Sequence, residues 1–110
     1  MNSYLYKIYG FFEDDSNIID KIQHTLSNLN IFEVEKSQDT RIDFFYWGNC
    51  FVDLDSLIED LKKYFTPHTY GQIDFIDFDE WKMKRIEIKK GNVLAKPIPL
   101  NKSWDPYTLS

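Results

Sequence analysis

The sequence predicts an α+β domain, with two helices packed on one face of a mostly antiparallel sheet. The order is a split β-α-β-β-α-β pattern with an added C-terminal hairpin strand. Three observations carry this. Two stretches, 16–29 and 54–65, repeat apolar residues at helical spacing. The runs between and after them alternate at period two or are apolar on both phases, as strands do. The 9 Phe, 7 Tyr and 3 Trp fall mostly in those runs, where aromatic β-propensity places them.

A chain of 110 residues is one domain, 1–110, large enough to bury a core without a metal or a disulfide. An apolar fraction of 43% excludes a disordered chain. The one cysteine, Cys50, excludes an internal bridge and fits a reducing compartment. Met1-Asn2-Ser3-Tyr4 has neither the basic nor the apolar part of a signal peptide, and no apolar run approaches a membrane span. The expectation is a cytoplasmic protein. A net charge of −5 argues against nucleic-acid binding, which needs a basic footprint. Residues 1–60 hold 12 acidic and 4 basic side chains, residues 61–110 hold 6 and 9. The first half is therefore strongly acidic, which matters for function if the partner is basic.

The first strand is predicted over 4–12, with aromatics on both phases and so interior to a sheet. Glu13-Asp14-Asp15-Ser16 supplies N-cap candidates and acids that suit the positive end of a helix. Ile18, Ile19, Ile22, Leu26 and Leu29 then form the stripe of helix 16–29. A second strand, 31–36, sets Phe32 and Val34 inward against Glu33 and Glu35. The third, 41–47, is apolar on both phases and is expected near the middle. Asp53 caps helix 54–65, whose stripe is Leu54, Leu57, Ile58, Leu61 and Phe65, with Glu59 and Lys63 as an i,i+4 pair. Thr66-Pro67 stops it.

Strand four is the stretch Tyr70 to Trp81. Its alternation slips, with Ile73 and Phe75 on one phase and Ile76 and Phe78 on the other. Such a slip implies burial on both faces or a bulge near Phe75-Ile76. With a bulge, Asp74, Asp77 and Asp79 line one exposed ribbon. Strand five, 81–89, is basic; Gly91-Asn92 suits a hairpin turn. Strand six, 93–98, is confined to an edge or to its end by Pro97 and Pro99. The tail 100–110 is irregular, with Trp104 and Tyr107 available to pin it.

Catalytic and metal signatures are missing. His24, His68 and Cys50 have no ligand spacing, and no Gly-rich phosphate loop or nucleophile elbow occurs. Asp74, Asp77, Asp79 and Glu80 suggest a hard-cation or acid–base site only until Lys82, Lys84 and Arg85 opposite are counted; cross-strand ion pairing accounts for them. The expectation is no metal, no cofactor and no enzymatic activity. Tyr46, Trp47, Tyr64, Tyr70, Trp81 and Trp104 exceed the needs of one small core, and exposed Tyr and Trp beside acids suit a protein interface.

Taken end to end, the chain resembles the immunity protein 7 family of bacterial polymorphic-toxin systems. The shared pieces are Tyr6 to Gly10 in the first strand, the helix before Tyr64-Phe65, the Thr69-Tyr70-Gly71 step, acidic Asp77-Phe78-Asp79-Glu80, a basic strand closing in Lys90-Gly91, and a proline-containing tail. One departure is the segment before the second helix. The family often has Asn and His there; this chain has Tyr46-Trp47-Gly48-Asn49-Cys50, where only Asn49 is comparable. The resemblance implies a cognate toxin blocked by stoichiometric binding. The alternative class is a phage anti-defence protein whose acids occupy a nucleic-acid site on an immune complex. For the toxin reading the partner is a basic toxin domain, without direct nucleic-acid or membrane contact. The expected contact is an acidic lip of Glu13, Asp14, Asp53 and Asp55 with Trp47 beside it, the two helices starting at the same sheet edge. The ribbon of Asp74, Asp77 and Asp79 is the other candidate surface.

Overall fold

The computed structural model describes residues 5–100, so Tyr4, Trp104 and Tyr107 lie outside the described residues. Strand β1 (Tyr6–Glu13) is followed by α1 (Ser16–Asn28), β2 (Glu33–Gln38), β3 (Arg41–Gly48) and α2 (Leu54–Lys62). Then come β4 (Tyr70–Asp77), β5 (Lys82–Lys89) and β6 (Asn92–Ile98). The fold is α+β: one open, antiparallel sheet in the order β2-β3-β1-β4-β5-β6. β1 is interior and β6 forms an edge, where Pro97 costs no ladder bond to a further strand.

Asp15 is the α1 cap, its carboxylate accepting from the Ile18 N–H at 3.1 Å. Ile19, Ile22 and Leu26 are fully buried, whereas Leu29 lies past the last turn and is exposed. Asp53 caps α2 by accepting from the N–H groups of Asp55 and Ser56. Its buried stripe is Leu54, Leu57, Ile58 and Leu61. The α-helix ends at Lys62, three residues early; i→i+3 bonds from Tyr64 and Phe65 tighten the exit. Glu59 accordingly pairs with Lys62 rather than Lys63, which sits over the Tyr64 ring.

The helices cover the sheet face carrying Ile8, Phe12, Ile42, Phe44, Ile73, Phe75, Ile86 and Ile88. Each such side chain contributes roughly 1.5–3 kcal/mol when taken from water. Gly10 makes room for this layer: a Cβ there would stand 2.5 Å from the Phe44 ring, which is stacked on Phe12 at 5.8 Å.

Three expectations are corrected. β4 has no bulge: its register against β1 and β5 runs without a shift. Gly71, Ile73 and Phe75 face the helices, and Tyr70, Gln72, Asp74 and Ile76 take the opposite face. The phase slip arises because the strand stops at Asp77, and residues 78–81 turn with Trp81 at φ 58°. The register shift in the sheet is in β2, between Glu35 and Gln38. The β5–β6 turn is centred on Lys90 and Gly91 (φ 52° and 77°), one residue earlier than expected; positive φ at both is what a two-residue hairpin turn needs.

The helices do not start at one edge of the sheet. Glu13, the last residue of β1, pairs with Arg41, the first of β3, while Tyr6 pairs with Gly48. β1 and β3 are antiparallel, so the helix leaving each begins at the opposite end.

Candidate functional site

That geometry divides the expected acidic lip. Glu13 and Asp14 lie at one end of the sheet; Trp47, Asp53, Asp55, Asp77 and Asp79 belong to the other. Most of these acids already have structural work. Glu13 pairs with Arg41 at 3.2 Å. Asp14 is buried and accepts from Thr66, Thr69 and the Asp15 N–H. Burial pushes its carboxyl up, but those bonds and the nearby His68 outweigh it, leaving the group below the usual carboxylate range. The backbone bond from Ser56, with the Ser56 hydroxyl behind it, likewise lowers Asp53. Asp55 meets Lys84 at 3.0 Å.

The Asp74–Asp77–Asp79 ribbon is not formed either. Asp74 is on the helix-free face, held by Arg85 Nε at 2.7 Å and by Nη2 at 3.2 Å. Asp77 has the opposite phase, and its Oδ1 accepts from the N–H groups of Asp79 and Glu80 to close the β4–β5 turn. Asp79 is exposed within that turn.

Trp47 instead belongs to a different constellation. On the face away from the helices, Lys7, Tyr9, Phe45, Trp47, Asp74, Ile76 and Met83 line a depression of about 390 Å³. The register builds it: Lys7 pairs with Trp47 and with Ile76, Tyr9 with Phe45 and with Asp74. Trp47 is 54% exposed, Tyr9 43% and Phe45 39%. Lys7 Nζ lies 5.1 Å from the centre of the Trp47 ring. No described helix or strand packs over this face.

Several charges around it are matched internally. Arg41 binds Asp43 through Nε and Nη2 and also reaches Glu13; Tyr9 Oη donates to Asp43 at 2.6 Å. The Arg41 guanidinium holds Asp43 below the ordinary range, and the Asp43 hydrogen bond in turn raises Tyr9. Lys96 pairs with Glu87 at 3.2 Å.

Lys7, Tyr9, Phe45, Ile76 and Met83 are not among the residues that the sequence singles out. Aromatics on both phases of β1 and β3 were the available signal: a sheet with two helices on one face must show the other phase to something else.

A larger groove, about 590 Å³, lies on the helix side between the start of α2 and the β5–β6 ribbon, with Phe51, Phe75, Trp81 and Pro97 among its walls. It gathers Asp53, Asp55 and Asp77, whose bonds are given above. Its far lip ends at Leu100, where the described residues end.

Cys50 is exposed, its N–H donating to Tyr46 Oη, and His24 is engaged with Asn28. Among the described residues no group of three His, Cys, Asp or Glu is placed to hold a metal ion. No described helix is long and apolar enough to cross a membrane. No family model, no curated protein and no solved structure matches the chain.

Proposed function

We propose that this chain is a non-enzymatic protein inhibitor: an immunity protein that binds a cognate bacterial toxin domain and neutralises it by occupation. The observation that carries the reading is the helix-free sheet face, where Tyr9, Phe45 and Trp47 stand exposed around one depression. Exposed apolar patches of this kind mark interaction sites, and Tyr, Trp and Arg are the residues that anchor them. Asp43 and Asp74 beside the depression are neutralised by Arg41 and Arg85, so a partner covers no unpaired carboxylate at the aromatic centre. A stable complex buries about 800 Å² on each side, so the depression is the centre of the contact and the flanking strands its margin. The net charge of −5 favours a basic partner, and opposite charge speeds encounter.

The test is protection. A large secreted protein with a variable C-terminal domain should be encoded immediately upstream, and cells expressing that domain should survive when this chain is co-expressed. The purified pair should form a complex of fixed stoichiometry. Death of the co-expressing cells, with the chain soluble and folded, removes the reading.

A further inference from the structure

We infer that the toxin domain lies across β2, β3 and β1 on the helix-free face, seating an apolar side chain among Tyr9, Phe45, Trp47, Ile76 and Met83 and setting basic side chains against Glu33 and Glu35. This rests on the inhibitor reading and deepens it by fixing the surface and the chemistry of what covers it.

The register supplies the second half of the argument. Glu33 pairs with Phe45 and Glu35 with Asp43, so both glutamates share the face of the aromatic depression. Both are exposed. The other carboxylates of this face have partners: Asp43 and Glu13 take Arg41, Asp74 takes Arg85 and Glu87 takes Lys96. Glu33 and Glu35 make no ion pair with any described residue. Lys36 between them and the turn is turned to the other layer, where Asp20 of α1 holds it at 2.6 Å. The face is thus an apolar centre with two uncompensated carboxylates along one margin and the Lys7 ammonium over Trp47 at another. A partner with cations on the β2 side is attracted, and one turned to place them on Lys7 is repelled.

The two parts of the surface act on different rates. Exposed glutamates are screened within about 8 Å at physiological salt, so they steer encounter more than they hold the complex. The aromatic centre, desolvated on docking, governs dissociation.

The experiment measures association and dissociation rates at low and high salt. Its probe is an inactivated form of the toxin domain against which co-expression of this chain protects cells. The double variant Glu33→Lys/Glu35→Lys should associate about tenfold more slowly at low salt, with a flatter salt dependence. Trp47→Ala should dissociate at least about tenfold faster with association nearly unchanged. The control Glu59→Lys/Asp60→Lys makes the same charge change on exposed positions of α2, on the other face, and should stay within about twofold of wild type. Melting temperatures establish that each variant is folded. Wild-type binding left intact by both test variants overturns this surface and leaves the inhibitor reading standing. An equal loss in the control shows that net charge, not β2, steers the partner, and overturns the placement. No binding by the wild type overturns both.

Discussion

The Asp14 carboxylate accepts the hydroxyl hydrogen bonds of both Thr66 and Thr69, tying the entry to α1 to the loop between α2 and β4. Thr69 is fully buried and Asp14 nearly so. The same loop receives the β5–β6 turn, since the Gly91 N–H donates to the Thr69 carbonyl at 3.0 Å. One carboxylate and one carbonyl therefore join three chain segments that are far apart in sequence. Removing a hydroxyl from a charged, buried pair costs about 1–3 kcal/mol. Thr69→Val should accordingly lower stability by that amount in urea unfolding at neutral pH.

Acid should undo the same contact. Asp14 is held below its unfolded value, so its contribution is present above the unfolded carboxylate pKa, about 4. The contribution is lost as pH falls through the lower folded value. Wild type should lose stability progressively as pH drops below about 4, and Asp14→Asn should lose less over that range. Parallel urea titrations at neutral and acid pH check it. Equal acid sensitivity in the two proteins would falsify the assignment.

The second helix is a packing element, with Leu57 and Ile58 each 5% exposed. Leu57→Ala or Ile58→Ala should each destabilise by roughly 2–5 kcal/mol, the range for truncating a buried aliphatic side chain. Unchanged melting temperatures in both would mean that α2 does not bury this stripe.

Gly10 lies under the Phe44 ring, with the Gln72 carbonyl also 3.0 Å from any added Cβ. Overfilling a packed core costs about 1–3 kcal/mol, so Gly10→Ala should destabilise by that much. Phe44→Leu removes the colliding ring atoms. In a double-mutant cycle the pair should therefore cost less than the sum of the singles. Strict additivity would place the strain elsewhere.

Much of this architecture was legible because helices and strands write different periods into the sequence. Ile19, Ile22 and Leu26, then Leu54, Leu57, Ile58 and Leu61, are buried as their spacing required. Asp53 is the cap it resembled, and Pro97 lies in an edge strand. The site was less legible. Period two says that Phe44 and Phe45 point apart, but not which one meets the helices. That choice is made by the pairing Gly10–Phe44 and Tyr9–Phe45. The joint acidic lip failed on direction, because the strand that feeds α2 runs against the strand that feeds α1. The cross-strand ion pairing expected between the acidic and basic strands is found at Asp74 and Arg85, through the hairpin register that residues 78–81 set.

Phe44 and Phe45 give the sharpest test of which face is covered. They are adjacent in β3 with Phe44 fully buried and Phe45 39% exposed. Phe44 stacks on Phe12 and meets Phe32 edge-on at 5.3 Å, so Phe44→Ala opens a cavity in an aromatic cluster. The expected cost is about 3–5 kcal/mol. Phe45 looks out over the depression beside Tyr9 and Trp47, where truncation removes little packing. Phe45→Ala should therefore stay within about 0.5 kcal/mol of wild type in urea unfolding. It should still dissociate faster from the proposed partner, because loss of an interface aromatic is felt only when the partner desolvates it. A large stability loss from Phe45→Ala would mean that something packs on this face in the free protein, and the partner would have to bind elsewhere.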